Sequence, residues 1–353
     1  TLLESGNVDY IISTSSRGRI PTKDSVKLRR KAVERAIPCL TSMDTANALL
    51  NSLRSKFTKE CTELVNINNM RESRQKLRFL KMSGTKNDYI YFHCFHQQID
   101  NPEGLAVMLP DRHLGIGGDG ICLIYPSKIA DASMVLINQD GTNGGISGNA
   151  LRCIAKYLHD SGIAPRDIVT VEGEGLVRAV KLIKQYGEVT AATVEMGEVK
   201  LDPAAIPVDL PGEKIINQPV KIGENEYNIT CVNVGNPHCV VFTDNVDKID
   251  LEEIGPKFEH NKIFPERTNT EFVKVISPQK LKMRVWERGN GETWACGTGA
   301  CAAVVAAVEN GYCSKDEEIT VKLIGGELKI RYAGNTVTMT GDASTIFEGT
   351  IEV

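Results

Sequence analysis

Two stretches of the chain, 149 residues apart, repeat one design, and this repetition constrains the fold more than any other feature. Ser147-Gly148-Asn149-Ala150 and Cys296-Gly297-Thr298-Gly299 each open an apolar run. The first continues through Leu151, Arg152, Cys153, Ile154 and Ala155 to Gly162, the second through Ala300, Cys301, Ala302, Ala303 and Val304 to Gly311. Aligned without gaps, each places a reactive side chain at the expected helix start and a glycine at its end. Helix starts carry unpaired N–H groups and the positive end of the dipole. Two such ends facing each other would grip a carboxylate between two side chains, here one thiol and one hydroxyl. The offset is longer than any solenoid repeat and points to a duplicated unit.

From Leu77 onward the texture is alternating short strands and glycine turns around the two helices. Strands are expected at Leu77–Met82, Tyr89–Phe95, Ile121–Tyr125, Met134–Asn138 and Val189–Met196 in the first half. In the second half they are expected at Tyr227–Val234, Cys239–Thr243, Glu271–Ile276, Lys282–Glu287, Glu318–Lys322, Glu327–Tyr332 and Thr336–Thr340. Many strands with one central helix per half argue for two similar α+β domains, 77–193 plus 342–353 and 194–341, with the last strand returning to the first domain.

Residues 1–59 differ. Asp9-Tyr10-Ile11-Ile12 is strand-like, Lys23 to Ala36 is a basic amphipathic helix expected to turn Val26, Ala32, Val33 and Ala36 inward, and Ile37 to Leu40 is a second short strand. Thr41 to Leu53 is helical with Ser42 or Asp44 as its cap. A polar stretch within 60–76 reads as a linker.

The 353 residues are 41% hydrophobic and 24% charged, an ordinary globular balance, and the net charge of −4 gives no footprint for nucleic acid or an acidic membrane. No apolar run spans a bilayer and no signal peptide opens the sequence. The ten cysteines show neither CxxC nor Cys/His ligand spacing, so no disulfide framework or metal site is expected, and reduced cytoplasmic thiols fit best.

The opening segment resembles the final part of the methylglyoxal-synthase-like domain that ends carbamoyl-phosphate synthase large subunits. The residues that carry this are Asp9-Tyr10-Ile11-Ile12-Ser13-Thr14, Lys27-Leu28-Arg29-Arg30-Lys31-Ala32-Val33-Glu34, Ile37-Pro38-Cys39-Leu40-Thr41-Ser42 and Asp44-Thr45-Ala46-Asn47-Ala48-Leu49-Leu50. Only about the last half of such a domain is matched, and a doubly wound unit cut through its sheet cannot close its own core. The segment is therefore expected to be either a fragment of a longer fusion or a vestigial appendage.

The remainder, from Leu77 to Val353, resembles diaminopimelate epimerase. Its motifs are Lys81-Met82-Ser83-Gly84-Thr85-Lys86-Asn87-Asp88-Tyr89, with Ser83 where His is usual, and the glycine-rich Asp111-Arg112-His113-Leu114-Gly115-Ile116-Gly117-Gly118-Asp119-Gly120. Asn138-Gln139-Asp140-Gly141 followed by Ser147-Gly148-Asn149 and Arg152-Cys153 matches the first catalytic turn. Gly235-Asn236-Pro237-His238 and Pro265-Glu266-Arg267-Thr268-Asn269 match two substrate loops, and Glu287-Arg288-Gly289 with Cys296-Gly297-Thr298-Gly299 matches the second catalytic turn.

The resemblance implies two pseudo-symmetric domains, each a mostly antiparallel curved sheet around a central helix. It implies a cofactor-independent isomerase of the cytoplasm, plausibly a homodimer, that interconverts LL- and meso-diaminopimelate for lysine and cell-wall precursor synthesis. Inversion needs a base on one face of Cα and an acid on the other. A thiol suits both roles because its pKa of about 8.5 is expected to fall at a helix start. The amides of Gly148, Asn149, Gly297 and Thr298 are the expected oxyanion donors. By the resemblance, Asn87, Asn138, Asn236, Asn269, Glu287 and Arg288 hold the distal amino and carboxylate groups. His238 either steers a catalytic proton from behind or is structural after Pro237, and no metal is implied.

Ser147 stands where the family has one of its two catalytic cysteines, in a loop, Asn143-Gly144-Gly145-Ile146, that is itself altered. A hydroxyl is too weak an acid to serve as a base near neutral pH without an activating partner. Three readings follow: a deliberate exchange of cysteine for serine, a natural variant that works slowly or on one face, or a chain that has lost catalysis. The alternatives to two-base epimerisation are accordingly a single-base racemase or lyase on the same fold and an inactive diaminopimelate-binding protein.

Overall fold

The offset of 149 residues recurs in strand register. In the computed structural model, which describes residues 3, 8–13, 23–54 and 75–353, Ile90 lies opposite Ile121 in one parallel ladder and Cys239 opposite Thr270 in another. Each member of the second pair is 149 residues beyond its counterpart.

The chain divides into Thr1–Arg74 and Gln75–Val353. In the first unit, β1 (Ile11–Ile12) and β2 (Cys39–Leu40) pair in parallel, with α1 (Lys23–Glu34) between them in sequence and α2 (Met43–Arg54) after them. Ser42 caps α2, its Oγ accepting from Thr45 N at 3.1 Å. The inward face expected for α1 is only partly present. Ala32 is buried, whereas Val26 and Val33 are 50% and 77% exposed and Ala36 is also exposed. These valines have no apolar layer to cover them within the described part of a two-strand unit. Apart from Gln75 and Lys76, the expected linker lies outside the described residues.

In the second unit the first half comprises β3 (Lys76–Gly84), β4 (Asn87–His93), α3 (Pro102–Met108), β5 (Gly120–Tyr125), β6 (Ala132–Asn138), α4 (Gly148–Asp160), β7 (Ile168–Gly173), β8 (Leu176–Gln185) and β9 (Glu188–Glu198). The second half repeats it: β10 (Gln218–Ile222), β11 (Asn225–Asn233), β12 (Pro237–Phe242), α5 (Leu251–Glu259), β13 (Asn269–Ser277), β14 (Lys280–Glu287), β15 (Gly291–Thr293), α6 (Gly297–Glu309), β16 (Glu318–Lys322), β17 (Glu327–Ala333) and β18 (Thr336–Asp342). The final strand, β19 (Ser344–Glu352), returns to pair antiparallel with β3. Most ladders are antiparallel, and the parallel ones occur in matching places: β4–β5 and β6–β7 in one half, β12–β13 and β14–β16 in the other. Strands β9 and β18 join the halves edge to edge. The fold is thus two pseudo-symmetric α+β domains with mixed sheets and central helices. Strands β7, β8, β10 and β15 and helices α3 and α5 were not expected from the sequence. Strands β7 and β8 leave Ile168, Leu176 and Val177 exposed, so their apolar alternation is weak.

The two central helices are buried for different reasons. Helix α4 presents an apolar stripe, Leu151, Ile154, Ala155 and Leu158, to the sheet. Helix α6 is small and apolar all round, with Ala300 through Ala307 completely buried. They share one core. Smaller clusters lie under α3, around Phe92, Leu105 and Leu123, and under α5, around Phe258 and Phe272. The fully buried Phe258 ring meets Tyr227 and Phe272 edge-on, with centroids at 5.1 and 5.5 Å. Phe258→Ala is expected to cost about 3–5 kcal/mol of stability, read from urea unfolding.

Candidate functional site

The sheets curl around α4 and α6 so that both helix starts meet one side chain. A Cβ on Gly148 would lie 2.3 Å from Met339 Cε, and a Cβ on Gly297 would lie 2.8 Å from Met339 Sδ and 3.2 Å from its Cε. The thioether of Met339 therefore lies against the first residue of both helices, and the glycine at each leaves room for it. Asn149 extends across the same junction, its Oδ1 3.7 Å from the Cβ position of Gly297.

The two N-caps are built alike. Ser147 is extended (φ −107°, ψ 122°) and its Oγ accepts from Ala150 N at 3.3 Å. Cys296 is extended (φ −109°, ψ 111°) and its Sγ accepts from Gly299 N, also at 3.3 Å. Each cap occupies the third N–H of its helix, and helix geometry leaves those of Gly148, Asn149, Gly297 and Thr298 without an intrahelical acceptor. Each helix start thus offers amides that can receive negative charge.

Electrostatically the halves differ. Cys296 is buried beside two carboxylates, Glu287 and Glu271, and Thr298 Oγ1 lies 3.5 Å from its sulfur. Burial first, then the two acidic neighbours, push this thiol well above its ordinary pKa, against the smaller pull of Thr298 and the Gly299 amide. The expectation that the helix start lowers the thiol pKa is thus overturned, because desolvation outweighs a dipole that acts through a few amides. Glu287 is itself raised by burial, and Thr293 Oγ1 donates to it. Ser147 is half-buried, and among the described residues the bond its Oγ accepts from Ala150 N is its one side-chain hydrogen bond.

Parallel pairing of β12 with β13 brings His238 and Glu271 together, both with no exposed surface. His238 Nδ1 lies 2.7 Å from Glu271 Oε1 and its Nε2 2.8 Å from Asn236 Oδ1. Both ring nitrogens of His238 are thus engaged, one by a carboxyl group and the other by an amide. Glu271 Oε1 also closes on α6, 2.7 Å from the Cβ position of Gly299, while its Oε2 has no partner.

The other expected residues separate into groups. Asn87 and Asn149 are joined, Asn149 Nδ2 donating to Asn87 Oδ1 at 3.2 Å, and Asn87 Nδ2 donates to Asp119 at 2.7 Å. Asn149 Oδ1 is a buried acceptor with no partner, beside the start of α6. Asn269 engages backbone with both ends of its amide, Nδ2 donating to Pro237 O at 2.8 Å and Oδ1 accepting from Arg288 N at 2.9 Å, and so fixes two loops to each other. Asn138 closes its own turn, donating to Thr142 Oγ1 at 3.2 Å. Arg288 Nη1 bonds Glu266 O at 3.0 Å. Sequence reasoning missed Glu271 and Met339. Glu271 had a legible signal, a lone carboxylate inside the apolar strand Thr270 to Val275, whereas nothing local marks Met339.

A cavity of about 680 Å³ lined by Asp247, Arg284, Glu292 and Trp294 lies elsewhere on the second half. Two of its charged groups form a two-pronged Arg284–Glu292 pair, with Nε and Nη2 at 2.7 and 2.8 Å from the carboxylate oxygens. Among the described residues no cluster of three or more His, Cys, Asp or Glu could hold a metal ion, and no helix is long and apolar enough to cross a membrane.

A family model described as diaminopimelate epimerase matches residues 79–201 and 230–346. The diaminopimelate epimerase of Desulfovibrio desulfuricans is 50% identical over 281 residues, covering 77% of this chain and 97% of that protein. That of Acetivibrio thermocellus is 47% identical over 279 residues, covering 78% and 99%. Among solved structures, a probable proline racemase from Agrobacterium radiobacter superposes with a TM-score of 0.59 at 13% identity, covering 78% of this chain and 92% of that one. A hydroxyproline epimerase from Agrobacterium vitis gives 0.56 at 14% identity, covering 79% and 93%. At such identities the two structures speak for the shared fold alone.

Proposed function

Since the chain belongs to the diaminopimelate epimerase family, we propose that it is a cofactor-independent isomerase that moves a proton at the α-carbon of diaminopimelate, with Cys296 on one face and Ser147 on the other. The single observation that carries the reading is the pair of matched N-caps brought against Met339. A carboxylate attached to the reacting carbon gains negative charge as the Cα proton leaves. The amides of Gly148, Asn149, Gly297 and Thr298 are suited to receive it from both helices. Cys296 enters as a neutral thiol, since burial, Glu287 and Glu271 disfavour the thiolate. It can give a proton at once, and it takes one only after losing its own. Ser147 offers a donor but no comparable base. Exchange at Cα from the Cys296 face is therefore expected to outrun inversion.

Support for substrate contact differs among the candidates. Asn149 Oδ1 and Glu271 Oε2 are buried acceptors left unbonded, the kind of group that a substrate ammonium would satisfy. Asn87, Asn138 and Asn269 are read as holding the loops in place, because their amides are engaged internally. Asn236, Glu287, Arg288 and Thr298 remain candidates for direct contact. The proposed division at 193/194 and 341/342 falls within β9 (Glu188–Glu198) and one residue before the end of β18 (Thr336–Asp342), and the return of β19 to β3 supports assigning the last strand to the first domain. For residues 1–59 the methylglyoxal-synthase-like reading rests on the sequence resemblance, and the parallel β1–β2 pair flanking α1 is a general α/β unit.

Ser147 favours one second reading, a single-base racemase or lyase acting on another amino acid from Cys296 alone. The deciding measurement is Cα deuterium uptake by LL- and meso-diaminopimelate in D2O, with product analysis across other amino acids. Uptake with slow inversion is expected. No uptake and no binding, with no gain on Ser147→Cys, would overturn the epimerase reading, and turnover of a different amino acid would select the second.

A further inference from the structure

Arg152 lies one helical turn into α4 and has no exposed surface. A buried arginine usually pairs directly with a carboxylate, because desolvation of the cation is costly. This one meets mostly backbone and neutral groups. Its Nε donates to Asp342 O at 3.1 Å, Nη1 to Gly148 O at 3.5 Å and Nη2 to Thr85 Oγ1 at 3.0 Å. Nη1 also lies 3.7 Å from Met339 Sδ. The carboxylate is reached through Thr85, whose N and Oγ1 both donate to Asp342 Oδ1 at 2.9 Å.

The slot is built for a flat cation. A Cβ on Gly341 would lie 2.9 Å from Arg152 Cζ, and one on Gly84 would lie 3.2 Å from its Nη2. Glycine at both positions leaves space for the guanidinium plane. The turn that it grips is held in an uncommon conformation. Thr85 and Lys86 have φ of 55° and 59°, and neither is glycine. Two left-handed residues suit the tight link between β3 and β4, but a β-branched residue adopts that conformation only when its surroundings over-determine it. The next residue is Asn87, which Asn149 of α4 holds. The start of α4 is thus tied to one hairpin at two points, Arg152–Thr85 and Asn149–Asn87, and to the corner between β18 and β19.

We propose that Arg152 is a positioning residue: its guanidinium, held between Gly84 and Gly341, fixes the first turn of α4 and Met339 against the Thr85–Lys86 turn and the β18–β19 corner, and so sets the gap between the two helix starts. The inference rests on the isomerase reading for its consequence in catalysis, but the clamp itself is a structural claim that can be tested without substrate. A purely space-filling role is poorly met by a cation, and an apolar side chain would fill the slot without the cost of burying charge. What arginine alone supplies is a rigid fork that reaches three chain segments at once.

The test is Arg152→Lys, with Thr85→Ala as a second variant that removes the shared hydroxyl and leaves the cation. In the substrate-free protein, amide hydrogen exchange should speed about tenfold or more in peptides covering 83–89, 147–152 and 340–345, and stay unchanged in peptides covering 225–242. With LL-diaminopimelate, kcat for Cα exchange should fall about 10²-fold while KM changes less than threefold, the signature of misplaced groups. Unchanged amide exchange in the three segments, or an equal rise throughout the chain, overturns the clamp. Failure of the isomerase reading would look different. The parent protein and Ser147→Cys would both lack Cα exchange, while the amide pattern would still decide the role of Arg152.

Discussion

Cys296→Ala is expected to reduce Cα–H exchange of diaminopimelate by about 10³-fold or more, near the upper range for removing a positioned acid–base group. The fold should survive. Alanine loses the sulfur that accepts from Gly299 N, and an N-cap of this kind contributes on the order of 1 kcal/mol. Unfolding curves therefore accompany the rate measurement, and a rate that drops with little change in midpoint assigns the loss to chemistry. The pH dependence carries a second signature. Because burial, Glu287 and Glu271 raise the thiol, exchange that uses Cys296 as a base should climb with pH through neutrality into the alkaline range. The stability linkage has the matching sign. A group whose folded pKa is raised favours its protonated form in the native state. Its contribution is complete below the unfolded thiol value of about 8.5 and is lost as pH rises toward the folded value. Cys296→Ala should flatten that alkaline loss. Equal exchange rates in the alanine variant and its parent would remove the thiol from the mechanism.

Ser147→Cys should raise inversion of LL- to meso-diaminopimelate by about 10²–10⁴-fold, because it supplies the second acid–base group. The site is already shaped for sulfur: the Ser147 and Cys296 caps have similar backbone angles and the same 3.3 Å contact with the third N–H of the helix. Two-sided transfer requires a group on the far face that changes protonation within the turnover. The serine hydroxyl has no described carboxylate or imidazole bonded to it, whereas Cys296 has Glu287 and Glu271 as close neighbours. The ratio of inversion to exchange should rise toward unity in the variant, a readout unaffected by the fraction of active protein. A variant that inverts no faster than its parent, yet still exchanges, would mean that the altered loop Asn143 to Ile146 blocks the second face independently of residue 147.

Much of the architecture was written in local pattern. The gapless correspondence of Ser147–Gly162 with Cys296–Gly311 marked two capped helices, and α4 and α6 begin one residue after those caps. Capping and helical spacing are short-range properties, so a sequence displays them directly. Strands such as Glu318–Lys322 and Ile121–Tyr125 were legible for the same reason, through apolar runs bounded by turns. Where a strand keeps apolar residues on its exposed face, as β7 and β8 do, or where a valine expected inside meets solvent, as Val33 does, local pattern lost its meaning.

The chemistry of the site was decided at longer range. Sequence placed a thiol at a helix start and, from that alone, implied an acidified sulfur. Folding brought Glu271 from β13 and Glu287 from β14 beside it and excluded water, which reversed the sign. Asn87 and Asn269 read as ligand-facing amides, and folding alone shows that each also donates to a partner 32 residues away, Asp119 and Pro237. Arg152 was legible only as part of the first catalytic-turn motif, and only the meeting of Gly84, Thr85 and Asp342 gave its charge a place. The sequence by itself determined the duplicated halves, the capped helix starts and the exchange of thiol for hydroxyl, since each is encoded within a few consecutive residues. Tertiary structure alone decided which groups are charged, which amides are free and how the helix starts are held apart, because desolvation and Coulomb forces depend on neighbours that the chain order does not reveal.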